Sequence, residues 1–401
     1  MQLLNNGSIT SVQGIKAAGI FAGIKKSRKD LALIYSEAPC TVAGTFTLNK
    51  VKAAPTIISQ NIIINTDKTV RAVLVNSGNA NACTGEQGYA DGYATQKYCA
   101  EKLGILPEET LISSTGVIGV KLPVDAMLKG IDTIVPLLSA DGGFDAAEAI
   151  LTTDLKIKSY AVKVTLLTGD VTIGGICKGS GMIMPNMATM LGFIATDAVI
   201  AKPVLQKLLS DSVNFSFNRI TVDGDTSTND MVVLMANSLS GASVEEGSED
   251  YKAFSEALTY ICIEMAKSIV VDGEGATKLV QIDVKHARSL ADANAVARTI
   301  ANSPLVKTAF YGEDANWGRI LSATGNSGAE FEPEKVSIYF DDLAVLLPDY
   351  NIVLDEVKAK AILTKNEYTV SVDLVAGESS TTWWTCDFSE DYIKINARYR
   401  T

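Results

Sequence analysis

Histidine is nearly missing from this sequence: among 401 residues there is one, His286. A histidine-rich metal site is thereby excluded, and any Ser-His-Asp or Cys-His arrangement would have to be built around that single imidazole. It stands in "VQIDVKHARSL", where a strand hands over to a helix, and reads first as a surface or capping residue. Cysteine is sparse too. Cys40, Cys83, Cys99, Cys177, Cys262 and Cys386 show no C-x-x-C pair and no zinc spacing, which favours reduced thiols in a cytosolic protein over a disulfide framework. Positive charge is in deficit: 35 Lys and Arg against 46 Asp and Glu give a net charge of −11. That balance speaks against nucleic acid or an anionic membrane as partner. No apolar run is long enough to span a bilayer, and "MQLLNNGSIT" lacks the basic start and apolar stretch of a secretion signal. A soluble cytoplasmic protein is expected.

What is present is ordinary globular material, 47% hydrophobic and 20% charged, with ample core. Length gives a soft prior of about two to three domains. Strands and helices alternate without long linkers, low-complexity segments or repeats. "RAVLVNSGNA" (71–80) reads as a buried strand ending in a Gly/Asn turn, and "EQGYADGYATQKYCAEKLG" (86–104) as a helix with a glycine stop. "SYAVKVTLL" and "VTIGGICKG" flank "TGD", a hairpin signal. "AKPVLQKLLSDSVNFSF" starts a helix with Pro203 near its beginning. Phe254, Leu258, Ile261, Met265 and Ile269 recur at helical spacing and share one face. Glycines in "VDGEGATKLVQIDV" precede an alternating strand, and "YTVSVDLVAG" (368–377) is another strand. Hairpins outnumber βαβ units, so the expected class is α/β, with layered sheets and helices and mixed or antiparallel strands.

Three stretches suggest familiar chemistry and do not deliver it. "GGICKGSGM" places Lys178 before the glycine, whereas a phosphate loop needs Gly, then Lys, then Ser or Thr. "DGDTSTND" (223–230) would put Thr228 where a calcium loop needs Gly and Leu234 where it needs Glu. Its acidic and hydroxyl residues are expected to hold a turn together or line a polar site without a metal. "SGNANACTG" lacks the strand, glycine pattern and helix of a dinucleotide site.

One more stretch raises a question. "KGSGMIMPNMATMLGF" (178–193) sets a hydroxyl, Thr189, inside an apolar, methionine-rich run. Its plain reading is a strand entering a core, with Thr as a β-branched residue.

Taken together, "AGTFTLNKVKAAP" (43–55), "VNSGNANACTG" (75–85), "SSTGVIG" (113–119), "TTD" (152–154), "KGSGMIMPNMATML" (178–191), "VDGDTSTND" (222–230), "DGEGATK" (272–278), "GEDANWGRI" (312–320) and "INARYRT" (395–401) give Thr189 another meaning. In this order, over nearly the whole chain, the set resembles the ornithine acetyltransferase family, also called glutamate N-acetyltransferase. "WWTCDFS" (383–389) and Arg398 depart from its pattern locally and touch none of the residues assigned below.

The resemblance implies a self-cleaving enzyme of the N-terminal-nucleophile type, cut between Ala188 and Thr189 into residues 1–188 and 189–401, which fold as one compact unit. Thr189 Oγ would attack, and its freed α-amine, whose reference pKa is ~8, would accept the proton. A chain with one histidine suits such a self-contained base. Thr115 and Gly116 resemble the family's oxyanion hole, although "STG" alone is a common turn. Lys178 would meet a substrate carboxylate, and Glu274 the substrate amino group. Thr152 would bind the acyl amino acid, with Thr153 as the alternative contact, while Asn396 and Thr401 would close the pocket. The implied reaction moves the acetyl group from N2-acetylornithine to glutamate within arginine biosynthesis. It needs no metal or bound cofactor, although some members accept acetyl-CoA as donor. The implied assembly is a heterotetramer, two copies of each chain. Two rivals stay open: an N-terminal-nucleophile aminopeptidase or amidase that passes its acyl group to water, and a non-catalytic structural protein.

Overall fold

The computed structural model describes residues 1–65, 69–184 and 190–398. They pack as two compact units, residues 1–218 with 225–266, and residues 219–224 with 267 onward. The first unit therefore holds sequence from both sides of the expected cut. Its strands are β1 (Gln2–Leu3), β2 (Ile15–Ile20), β3 (Leu31–Phe46), β4 (Val70–Asn79), β5 (Thr110–Val117), β6 (Lys158–Thr165), β7 (Asp170–Lys178), β8 (Leu191–Thr196) and β10 (Met231–Ala236). The second unit's are β9 (Ile220–Thr221), β11 (Leu279–Ala287), β12 (Ser337–Phe340), β13 (Leu343–Leu347), β14 (Asn351–Ile352), β15 (Glu367–Asp373) and β16 (Ser379–Cys386).

In the first unit the strands run β1-β6-β7-β8-β10-β3-β4-β5, with β2 paired to β3. The expected hairpin is β6–β7, antiparallel from Lys158↔Cys177 to Thr165↔Asp170. β8 and β10 are parallel, as are β4 and β5, so the sheet is mixed. The period of two in β4 explains why its sequence reads as one apolar run. Ala72 and Leu74 enter a core layer with Ile58, Met127 and Ile131, while Val73 and Val75 enter another with Phe193 and Val233. Helices α1 (Ala54–Asn65), α2 (Gly85–Leu103), α3 (Val124–Ile134), α4 (Gly143–Ala149) and α5 (Lys202–Asn214) supply the covering layers. Gly104 ends α2 at φ 68°, its N–H donating to Ala100 and Glu101 carbonyls, the glycine stop read from sequence. Phe254, Leu258, Ile261, Met265 and Ile269 all lie on α6 (Glu249–Val271) and are fully buried.

The second unit's sheet runs β14-β13-β12-β15-β11-β16-β9. β11 alternates: Val280, Ile282 and Val284 join a core with Ala293, Val296 and Ile300 of α7 (Leu290–Asn302). On the intervening positions, Gln281 accepts from the Trp384 indole and donates to Asp283. α8 (Pro304–Tyr311), α9 (Trp317–Gly325), α10 (Glu356–Leu363) and α11 (Glu390–Ala397) complete the unit. Among the described residues no helix is long and apolar enough to cross a membrane.

Candidate active site

Thr115 and Gly116 lie at the end of β5, where Gly116 is opposite Gly78 of β4 and the register then shifts at Asn79. Gly116 has φ +134°, and a Cβ there would come within 2.3 Å of the Gly78 carbonyl carbon. No other residue fits so close a crossing of two backbones. Behind it, Ser114 donates to Asn76 Oδ1 at 2.6 Å, and its carbonyl accepts from Asn229 Nδ2 at 2.8 Å.

Thr152 and Lys178 are brought together by a carboxylate that sequence reading quoted in "TTD" without a role. Asp154 is fully buried. Its Oδ2 accepts from the Thr152 backbone N–H at 3.0 Å and from the Thr152 hydroxyl at 3.4 Å. Its Oδ1 accepts from Lys158 Nζ at 2.8 Å and from the Gly179 N–H at 2.7 Å. Lys178 Nζ stands 3.8 Å from Oδ2, with its side chain 8% exposed, and makes no hydrogen bond among the described residues. Strand pairing puts these groups together: Lys158 opens β6 and Lys178 closes β7, opposite Leu191 at the start of β8. Burial alone would push the Asp154 carboxyl up, but the Lys178 and Lys158 charges and the bonds it accepts hold it well below the usual carboxylate range.

The segment 225–230 shows what "DGDTSTND" does in this unit. Asn229 donates to Ala80 O at 2.7 Å as well as to Ser114 O, and Thr47 donates to Ser227 O at 2.8 Å. Thr226 donates to Met184 O at 3.0 Å, tying down the chain that follows Lys178. The loop thus stitches the β5 end to the β7 end, the turn-holding role expected of it. Asp230 is buried with Oδ2 unpartnered among the described residues. Burial pushes its carboxyl well above the ordinary value, against the opposing pull of the Lys178 charge. The two acids are therefore shifted in opposite directions, Asp154 below and Asp230 above the ordinary carboxylate value.

In the second unit, Glu274 is 8% exposed and accepts from Asn396 Nδ2 of α11 at 2.8 Å. The contact depends on the glycines around it. Gly275 has φ +73°, and its carbonyl accepts from Ser389 Oγ, the N-cap of α11, at 2.6 Å. Asp387 accepts from the Thr277 and Lys278 N–H groups at 2.8 and 3.0 Å, fastening the other end of the same loop. His286 is exposed, with Nδ1 2.9 Å from the Asp373 carboxylate, the surface role expected of it. The six cysteines carry no disulfide. Thr189, Ala188 and Thr401 lie outside the described residues.

Residues 16–401 match the ArgJ family. The arginine biosynthesis bifunctional protein ArgJ of Symbiobacterium thermophilum is 48% identical over 399 residues, covering 98% of this chain and 99% of that protein. The protein of the same name from Thermotoga neapolitana is 47% identical over 394 residues, covering 97% and 99%. Among solved structures, an ornithine acetyltransferase complexed with ornithine, from Mycobacterium tuberculosis, is 41% identical over 47% of this chain and 99% of that one, with a TM-score of 0.44.

Proposed function

The chain belongs to the ArgJ family, and from that premise we propose that it transfers the acetyl group of N2-acetylornithine to glutamate as a step of arginine biosynthesis. Self-cleavage between Ala188 and Thr189 frees the α-amine of Thr189. That amine takes the Oγ proton as Oγ attacks the acetyl carbonyl. The tetrahedral oxyanion is met by the Thr115–Gly116 backbone, where one well-placed donor contributes about 3 kcal/mol. The C–N bond breaks, the proton passes to the departing ornithine nitrogen, and an acetyl ester stays on Thr189. The amine of glutamate then attacks that ester, giving N-acetylglutamate and restoring the hydroxyl. No step calls for a metal or bound cofactor. Thr152 and Lys178 bind the acyl amino acid and its carboxylate, and Glu274 its amino group. Asn396 and Thr401 close the site. The working form is a cytoplasmic assembly of two copies of each fragment.

Lys178 supports the substrate side of this reading most directly. A nearly buried ammonium without a hydrogen bond among the described residues, 3.8 Å from its counter-ion, is costly unless an anion completes its shell. Product analysis with acetylornithine, with and without glutamate, tests the reaction. N-acetylglutamate and ornithine are expected only when glutamate is present; acetate released equally in both cases would identify a hydrolase instead. Intact mass should show two fragments, and Thr189→Ala one uncut, inactive chain. A single chain of full activity would overturn the mechanism.

Acetyl-CoA is proposed as the weaker donor, since no phosphate cradle is visible in the sequence and a net charge of −11 gives no attraction to its anionic carrier. With glutamate as common acceptor, kcat/KM should favour acetylornithine by about tenfold or more. An equal or higher value for acetyl-CoA refutes this preference.

A further inference from the structure

Two buried cations, Lys158 and Lys178, and two buried acids, Asp154 and Asp230, gather where β6 begins and where β7, β8 and β10 meet. Asp230 has no cation within ion-pair distance among the described residues, its Oδ2 has no partner among them, and burial pushes its carboxyl well above the ordinary value. Asp154 faces both ammonium groups. It lies against Lys158 at 2.8 Å and stands off from Lys178 at 3.8 Å, so Lys178 is the less closely engaged of the two ammonium groups.

We infer that Asp154 is a positioning residue for substrate selection: its carboxylate fixes Lys178 and Thr152 together, so that the Lys178 ammonium is presented to a substrate carboxylate beside the group that binds the acyl amino acid. The geometry is specific to this task. Each Asp154 oxygen is divided between a neighbouring backbone N–H and a polar side chain, Thr152 for one oxygen, Gly179 and Lys158 for the other. Thr152 is thereby held in a turn closed on Asp154, and the first residue after Lys178 is fastened to the same carboxylate. Lys158 saturates Oδ1, which keeps Lys178 on the Oδ2 side with Thr152. A carboxylate that only neutralised charge would have no need to bind both backbone segments. The inference rests on the proposed role of Lys178, so the test must separate the two.

The test compares two acetyl donors, N2-acetylornithine and its analogue without the α-carboxylate, N-acetyl-1,4-diaminobutane, with saturating glutamate as acceptor. Wild type should prefer the carboxylate-bearing donor strongly in kcat/KM. Lys178→Met should cut that preference by about tenfold to a hundredfold, the usual range for losing one charge-assisted contact. Asp154→Asn should cut it comparably, and the double variant should lose no more than the worse single variant, because both changes remove one interaction. A merely structural Asp154 would lower kcat/KM for both donors alike and leave the ratio intact. If Lys178→Met retains the preference, the carboxylate reading of Lys178 fails. If Lys178→Met loses it while Asp154→Asn retains it, or if the two losses add, the positioning role fails. Should Asp154→Asn not fold, Asp154→Glu keeps the charge on a longer arm; a reduced ratio is then expected, and a wild-type ratio overturns the inference.

Discussion

Gly116 carries a backbone conformation that side chains rarely adopt, with no space for a Cβ against Gly78. Gly116→Ala combines that strain with an overlap between two backbones, and roughly 2–4 kcal/mol of stability should be lost. Chemical denaturation measures it; a midpoint unchanged from wild type would contradict the crossing of β4 and β5. Asp154 gives a prediction in pH. Its folded value lies below the ordinary carboxylate value, so its contribution to stability is complete above about pH 4 and fades as pH falls through the folded value. The stability gap between wild type and Asp154→Asn should therefore be widest near neutrality and narrow in acid. Denaturation midpoints from pH 7 to pH 3 check the sign, and a gap that widens in acid would mean Asp154 is not the ionised partner.

At the scale of elements, α6 is the clearest case of pattern becoming packing. Phe254, Leu258, Ile261, Met265 and Ile269 were spaced for one face in sequence, and all five are fully buried. Truncating a side chain at such a place leaves a cavity that close-packed neighbours fill only in part. Phe254→Ala should cost about 3–5 kcal/mol, read as a shift of the denaturation midpoint. A loss below about 1 kcal/mol would show that the site collapses freely. The strand ends tell a different story. Lys178 and Leu191 pair as the last residue of β7 and the first of β8. In sequence, the expected cut lies between these two residues.

For the whole molecule, that placement decides what cleavage does. β8 is hydrogen-bonded to β7 on one side, and β10 to β3 along six residue pairs from Met231↔Phe46 to Ala236↔Thr41. Both junctions join residues before position 188 to residues after it, inside one sheet and one core. Cutting the chain there removes no strand pairing among the described residues. Fragments 1–188 and 189–401 should therefore co-elute in native size exclusion and separate only in denaturant. Fragments that part in native buffer would contradict the sheet order.

The sequence by itself determined the elements and the near neighbours. Apolar runs such as β4 and the helical spacing of α6 depend on periodicities of two and 3.6, which are local properties. The glycine stop at Gly104 and the β6–β7 hairpin are local in the same way. Family resemblance carried Lys178, Thr152, Glu274, Asn396, Thr115 and Gly116, and the fold brings Thr152 to Lys178 and Glu274 to Asn396. Only the tertiary structure decided that the two buried acids shift in opposite directions. Asp154 and Asp230 are the same residue type; Thr152 and Lys158 lie near Asp154 in sequence, whereas Lys178 and the Gly179 N–H reach it from the end of β7. One meets Lys158, Lys178 and two backbone N–H groups contributed by different parts of the chain, and the other is buried without a partner for Oδ2. A buried charge needs partners, and strand pairing adds the end of β7 to those that lie near Asp154 in sequence.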